Sequence, residues 1–118
     1  MVVFSHNDIA GLQLGKYISK NGFTINDINS NCSLFINGHL HNATKYNNIV
    51  NVGNLTGLNF SEDAFRYKHS VYILDTDTLT ITEFENPFAF NFYKITSLQQ
   101  FSELKSNSVI TIQCSLDQ

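Results

Sequence analysis

The sequence predicts a strand-rich α/β fold, and three observations carry that reading. Two short apolar runs, residues 2–4 and 34–36, each lead into a polar segment that carries histidine. The stretch between them, residues 9–32, is long enough for a crossover, which would make the two runs parallel neighbours in one sheet. Downstream, residues 69–74 and 79–84 flank Asp75-Thr76-Asp77-Thr78, a hairpin pattern.

Taken in order, residues 2–5 read as a buried strand. Residues 9–21 hold Leu12, Leu14, Tyr17 and Ile18 among glycines, and predict a loop with one or two weak helical turns, stopped by Asn21-Gly22. Residues 24–29 predict a short helix, with Thr24 as N-cap and Asp27 at the third helical position of a capping-box-like pattern. Residues 33–37 form the second buried strand. Asn47-Asn48, between Tyr46 and the apolar run 49–52, predicts a hairpin.

A two-glycine loop follows, Gly53-Asn54-Leu55-Thr56-Gly57, and runs on toward Tyr67 before the 69–84 hairpin. Residues 84–93 are aromatic and extended, with Pro87 fixing the backbone. Leu98, Phe101 and Leu104 recur at helical spacing behind Ser97, a good N-cap, and residues 109–114 predict a last short strand. The expected organisation is a main body over residues 1–93 and the start of a small appendage over 94–118, whose own partner strands are not evident.

Composition narrows the function. The chain has 118 residues, enough for one modest core. Lys and Arg together number only 7 and the net charge is −3, so the basic stripe of a protein that grips nucleic acid alone is missing. Cys32 and Cys114 are far apart in sequence and form no CxxC, which predicts reduced thiols in a cytoplasmic protein. No long apolar run or cationic leader is visible, so neither a membrane partner nor a signal peptide is expected. The immediate start on a strand has the look of an internal fragment.

The chemistry concentrates in Gly38-His39-Leu40-His41, directly after the second strand. Alternate strand positions share a face, so His39 and His41 would reach toward one point if strand geometry persists there, with Gly38 free to take a turn conformation. Two convergent imidazoles are a beginning of a transition-metal site. The plain alternative is a turn with one histidine bonded to backbone and the other exposed. His6 also ends an apolar strand, and parallel pairing would bring it to the same carboxyl edge, where ligands bind in α/β sheets.

In this arrangement the chain resembles the C-terminal portion of a calcineurin-like metallophosphoesterase. That family carries a lone histidine after a strand, matched by Phe4-Ser5-His6, and a Gly-His-x-His motif, matched by Gly38-His39-Leu40-His41. Val50-Asn51-Val52-Gly53-Asn54-Leu55-Thr56-Gly57 is similar to the strand and loop that follow, and residues 69–84 to the closing strands of the second sheet. The resemblance covers roughly residues 2–93, and lies closest to SbcD-type DNA repair exonucleases of phage and prophage kind.

The resemblance implies the C-terminal half of a two-sheet sandwich flanked by helices, followed by a capping domain. It implies that His6 and His39 bind one metal of a binuclear pair and His41 the other. Manganese is the first expectation in the intact family, with zinc or iron as alternatives, and the site in this chain could be empty. Asp8 would orient an imidazole or be a solvated loop carboxylate. Asn54 and Thr56 would lie near bound phosphate or serve a turn. Glu62-Asp63 would reach toward the site from the glycine loop or be a solvated acidic pair, and His69 reads as a structural or exposed histidine. The aromatic run 84–93, lacking interleaved cations, reads as packing or subunit contact.

The departures are as informative. No Asp-x-His, Gly-Asp-x-x-Asp or Gly-Asn-His motif occurs, and Ser5-His6-Asn7-Asp8 holds His-Asn in the reverse order. The family's bridging aspartate, asparagine ligand and leaving-group histidine therefore have no counterpart. The expectation is the metal-binding second half of a DNA phosphodiesterase, inactive alone. Its partner would be a complementary N-terminal half or a second copy, and it would meet DNA only in the intact enzyme with an SbcC-like ATPase. The alternatives are a noncatalytic interaction module on the same fold, or a mononuclear zinc site of His6, His39 and His41.

Overall fold

A computed structural model describes residues 1–14 and 17–113. The chain forms β1 (Val2–Ser5), β2 (Ile9–Ala10), β3 (Gln13–Leu14), β4 (Tyr17–Ile18), β5 (Phe23–Thr24), α1 (Ile25–Asn31), β6 (Leu34–Asn37), β7 (Thr44–Tyr46) and β8 (Ile49–Asn51). There follow β9 (Ser70–Asp75), β10 (Thr80–Glu85), β11 (Asn91–Ile95), a 3₁₀ helix at Leu98–Glu103 and β12 (Ser108–Ile112). This is a strand-rich mixed α/β architecture.

The central sheet has the order β1-β6-β8-β7. β1 and β6 are parallel, with Val2 opposite Leu34 and Ser5 opposite Asn37. β8 lies parallel to β6 on its other side, and β7 closes the sheet antiparallel to β8. The predicted parallel pairing is present, and α1 belongs to the crossover between the two strands. Thr24 caps that helix: its hydroxyl accepts from the Asp27 amide at 3.1 Å. Ile28 on α1 then packs with Ile9, Phe35 and Ile49 in the main core. Cys32 joins the margin of that core, half-buried, as a small apolar residue.

Residues 9–21 depart from expectation. Their described part forms short strands rather than helical turns: β2 pairs with β5 and β3 with β4. Gly11, at φ +96°, takes a left-handed conformation that interrupts any helical run. The aliphatic residues here were too few to bury a helical face, and pairing satisfied the backbone instead.

The hairpins agree with the sequence. Asn47 turns β7 into β8 at φ +53°. β9 and β10 pair antiparallel from Ser70–Glu85 to Asp75–Thr80, and the Asp75 carboxylate accepts from the Asp77 and Thr78 amides. In the last segment the predicted helix is instead a 3₁₀ turn, opened where Gln100 Oε1 accepts from the amides of Thr96 and Ser97. Leu98 and Phe101 are exposed and make no buried face, whereas Leu104 packs on a second core cluster with Tyr93 and Ile95. β12 is parallel to β11, so a partner strand for it exists within the chain. β11 itself runs through residue 93, across the expected domain boundary. Cys114, the expected end of this strand, lies outside the described residues.

The two clusters give the molecule an elongated form. Its radius of gyration is 16.3 Å, against about 13 Å for a compact chain of this length.

Candidate metal site

Parallel pairing of β1 and β6 sends both chains off the same edge, and buried asparagines fix what happens next. Asn37, at the end of β6, and Asn51, at the end of β8, are both fully buried. The Asn37 side-chain amide donates to Asn7 O at 2.9 Å and to Asn51 Oδ1 at 3.0 Å, while its Oδ1 accepts from Asn7 N at 3.0 Å. Asn51 in turn donates to Leu40 O at 2.8 Å and to Asn42 O at 2.9 Å. One polar pair thus clamps the loop after His6 and both sides of His41. A carboxylate or an aliphatic side chain could not satisfy the same mixture of donors and acceptors.

Glycine serves the site at two positions. Gly53 has φ +70°, and a Cβ there would lie 2.6 Å from Ala43 N and 2.8 Å from His41 O. Gly22, at φ +88°, packs on the backbone of Asp8 so tightly that a Cβ would overlap its carbonyl. Gly38, the glycine of the histidine motif, is different. It continues the ladder through its amide to Ser5 O at 3.0 Å, and a Cβ there would meet nothing closer than 3.7 Å. The turn conformation expected at Gly38 is not among the left-handed glycines of the chain.

His6 and His39 meet at this edge. His6 Nε2 lies 3.2 Å from His39 Nδ1, with the rings edge to face at 4.9 Å between centroids. The other nitrogen of His39, Nε2, lies 3.3 Å from Asp8 Oδ1. A consistent neutral assignment follows. His39 carries its proton on Nε2, which faces Asp8 across the 3.3 Å contact, and its bare Nδ1 accepts from His6 Nε2–H. Asp8 thus stands at ion-pair distance from the His39 ring, with its side chain 33% exposed.

His41 faces elsewhere. Its Nδ1 lies 3.3 Å from Glu62 Oε1. Among the described residues, no three His, Cys, Asp or Glu side chains are gathered to hold one ion. The strand-like alternation expected to aim His39 and His41 at one point ends at β6, since residues 38–41 are not strand.

Glu62 is buried, contrary to the reading of a solvated acidic pair. Its Oε1 accepts from Asn54 Nδ2 at 2.6 Å and its Oε2 from the Leu58 amide at 3.0 Å. Asn54 also donates its backbone amide to His41 O at 2.9 Å, and its own carbonyl accepts from His69 Nδ1 at 2.8 Å. The Asn54 side chain is thus engaged by Glu62, and His69 is a buried structural histidine. Thr56 accepts from the Phe90 amide at 2.8 Å, tying the glycine loop to the aromatic segment. Asn37 and Asn51 escaped sequence reasoning, as did the pairing of Glu62 with His41. Asparagine is abundant throughout the chain, and the Glu62–His41 contact bridges a loop that no periodicity reports.

The chain matches no protein-family model, no curated protein and no solved structure. No helix among the described residues is long and apolar enough to cross a membrane.

Proposed function

We propose that this chain is the histidine-bearing part of a binuclear-metal phosphoesterase of SbcD-like, two-sheet sandwich kind. The observation that carries the reading is the 3.2 Å separation of His6 Nε2 and His39 Nδ1 at the carboxyl edge of two parallel strands. Two imidazole nitrogens bound to one ion at about 2.0–2.1 Å stand about 2.9–3.4 Å apart for right-angled to tetrahedral geometry. The donor set fits a transition ion, because neutral imidazoles suit manganese, iron or zinc: Asp8 beside Nε2 favours the His39 proton there, and His6 would move its proton from Nε2 to Nδ1 to offer the second lone pair.

His6 and His39 would hold one ion and His41 a second. Bound metal in such a centre activates water and neutralises phosphate charge. What this chain contributes is orientation: the Asn37–Asn51 pair fixes both loops, and the carboxylates of Asp8 and Glu62 fix ring protons. Its sequence holds none of the family's carboxylate motifs, so complementary residues belong to another segment or subunit. Phosphodiester cleavage, on DNA in the intact enzyme, would need both.

Zinc and manganese titrations followed by calorimetry test the site, with His6→Ala and His39→Ala as controls. Wild-type binding that both substitutions abolish is the expected result. Equal binding by all three proteins would overturn the reading. The purified chain is expected to leave bis-p-nitrophenyl phosphate intact with either metal.

A further inference from the structure

We propose that Glu62 is the positioning residue of His41: it holds the ring as the Nδ1–H tautomer and so turns the lone pair of Nε2 outward as the ligand nitrogen. Glu62 Oε1 lies 3.3 Å from His41 Nδ1, an ion-pair distance at which a carboxylate oxygen favours a proton on that nitrogen over an opposed lone pair. The carboxylate is itself immobilised. Asn54 Nδ2 and the Leu58 amide donate to its two oxygens at 2.6 and 3.0 Å, and its side chain is only 4% exposed. The imidazole is its opposite, 43% exposed. Nε2 meets no hydrogen-bond partner among the described residues.

The backbone holds the pair together from the other side. Asn54 donates through its side chain to Glu62 and through its amide to the carbonyl of His41. Gly53, at φ +70°, lets that loop lie against His41. The arrangement repeats on an unrelated segment what Asp8 does for His39. In both cases a carboxylate faces one ring N–H and leaves the second nitrogen unprotonated, as carboxylate–histidine–metal triads do. Free imidazole favours the opposite tautomer, with its proton on Nε2, so the assignment is specific. The role of Glu62 stands on its own contacts; only what Nε2 holds rests on the metal reading above.

Long-range proton–nitrogen correlation spectra of the full chain, labelled with nitrogen-15, test it at about pH 8.5, two units above the ordinary imidazole pKa. His41 is expected as Nδ1–H in the wild type and in Glu62→Gln, whose side-chain oxygen still accepts. Glu62→Ala is expected to revert His41 to mainly Nε2–H while His39, held by Asp8, stays unchanged. A wild-type His41 found mainly as Nε2–H overturns the proposal, and that measurement needs no variant to fold. An Nδ1–H signal that persists in a folded Glu62→Ala chain overturns it equally. Zinc added to the same samples keeps the two ideas apart. If His41 is Nδ1–H but no histidine signal moves with zinc, the metal reading fails and the role of Glu62 stands. If zinc binds, Glu62→Ala is expected to weaken the shift at His41 Nε2 by about 10–100-fold in concentration, as for other orienting partners.

Discussion

Asn37 donates to the side-chain oxygen of Asn51 at 3.0 Å, with both residues fully buried between the strand ends and the histidine loops. Removing Asn37 would take the partner from the Asn7 backbone and from Asn51 Oδ1, and removing Asn51 would take it from the Leu40 and Asn42 carbonyls and from Asn37 Nδ2. Leaving one buried polar group unsatisfied costs about 1–3 kcal/mol. Asn51→Ala and Asn37→Ala are each expected to destabilise the chain by about 2–4 kcal/mol, since several such groups lose their partner in each case. The double variant is expected to cost less than the sum, because the two share a bond. Urea unfolding of the four proteins checks both statements.

Asp8 tests the orienting role of a carboxylate at the other imidazole. Asp8→Asn keeps an oxygen beside His39 Nε2, whereas Asp8→Ala removes it. Zinc or cobalt affinity is expected to fall by about 10–100-fold for Asp8→Ala and by less for Asp8→Asn. Calorimetric titration measures both. Identical affinity in wild type and Asp8→Ala would remove Asp8 from the site.

The glycines offer an ordering that the motif alone would get backwards. Gly38 sits inside Gly-His-x-His, yet a methyl group there meets only ordinary contacts. Gly53 lies outside the motif and is both left-handed and crowded by Ala43 and the His41 carbonyl. Gly53→Ala is expected to cost at least about 1–3 kcal/mol from its backbone conformation and more from overlap. Gly38→Ala is expected to stay within about 1 kcal/mol. Thermal melts that ranked Gly38→Ala as the worse substitution would contradict this geometry.

How much of this was legible beforehand depended on the range of the signal. The strands at β1 and β6, the Asn47 turn and the Asp75 hairpin announce themselves locally, and the length of the intervening segment allowed the parallel pairing without requiring it. The meeting of His6 with His39 was legible for the same reason, since parallel register brings both strand ends to one edge. The separate orientation of His41 was not, because residues 38–41 leave strand geometry where the alternation argument needed it to persist. Leu98 and Phe101 show the same limit: helical spacing was present, but with no surface to bury against, a 3₁₀ turn formed and both stayed exposed.

The ion pair between Lys105 and Glu85, 2.9 Å apart, joins the loop after the 3₁₀ helix to β10 and gives the fold a pH signature. The hydrogen bond from Lys105 holds the Glu85 carboxyl below its ordinary range, outweighing slight burial. A depressed carboxylate pKa contributes stability that is fully present above the unfolded value, about 4.3 for glutamate, and is lost as pH falls through the folded value. Both partners are substantially exposed, so the contribution is at most about 1 kcal/mol and is screened by salt. Glu85→Gln is therefore expected to lower stability by that amount at neutral pH and low salt. The wild-type advantage should shrink as the pH drops below about 4 and be smaller throughout in 1 M salt, about a 3 Å screening length. Unfolding titrations of the two proteins across pH and salt read the difference directly. A gap that widened toward acid pH would have the wrong sign for a depressed carboxyl and would exclude Lys105 as its cause.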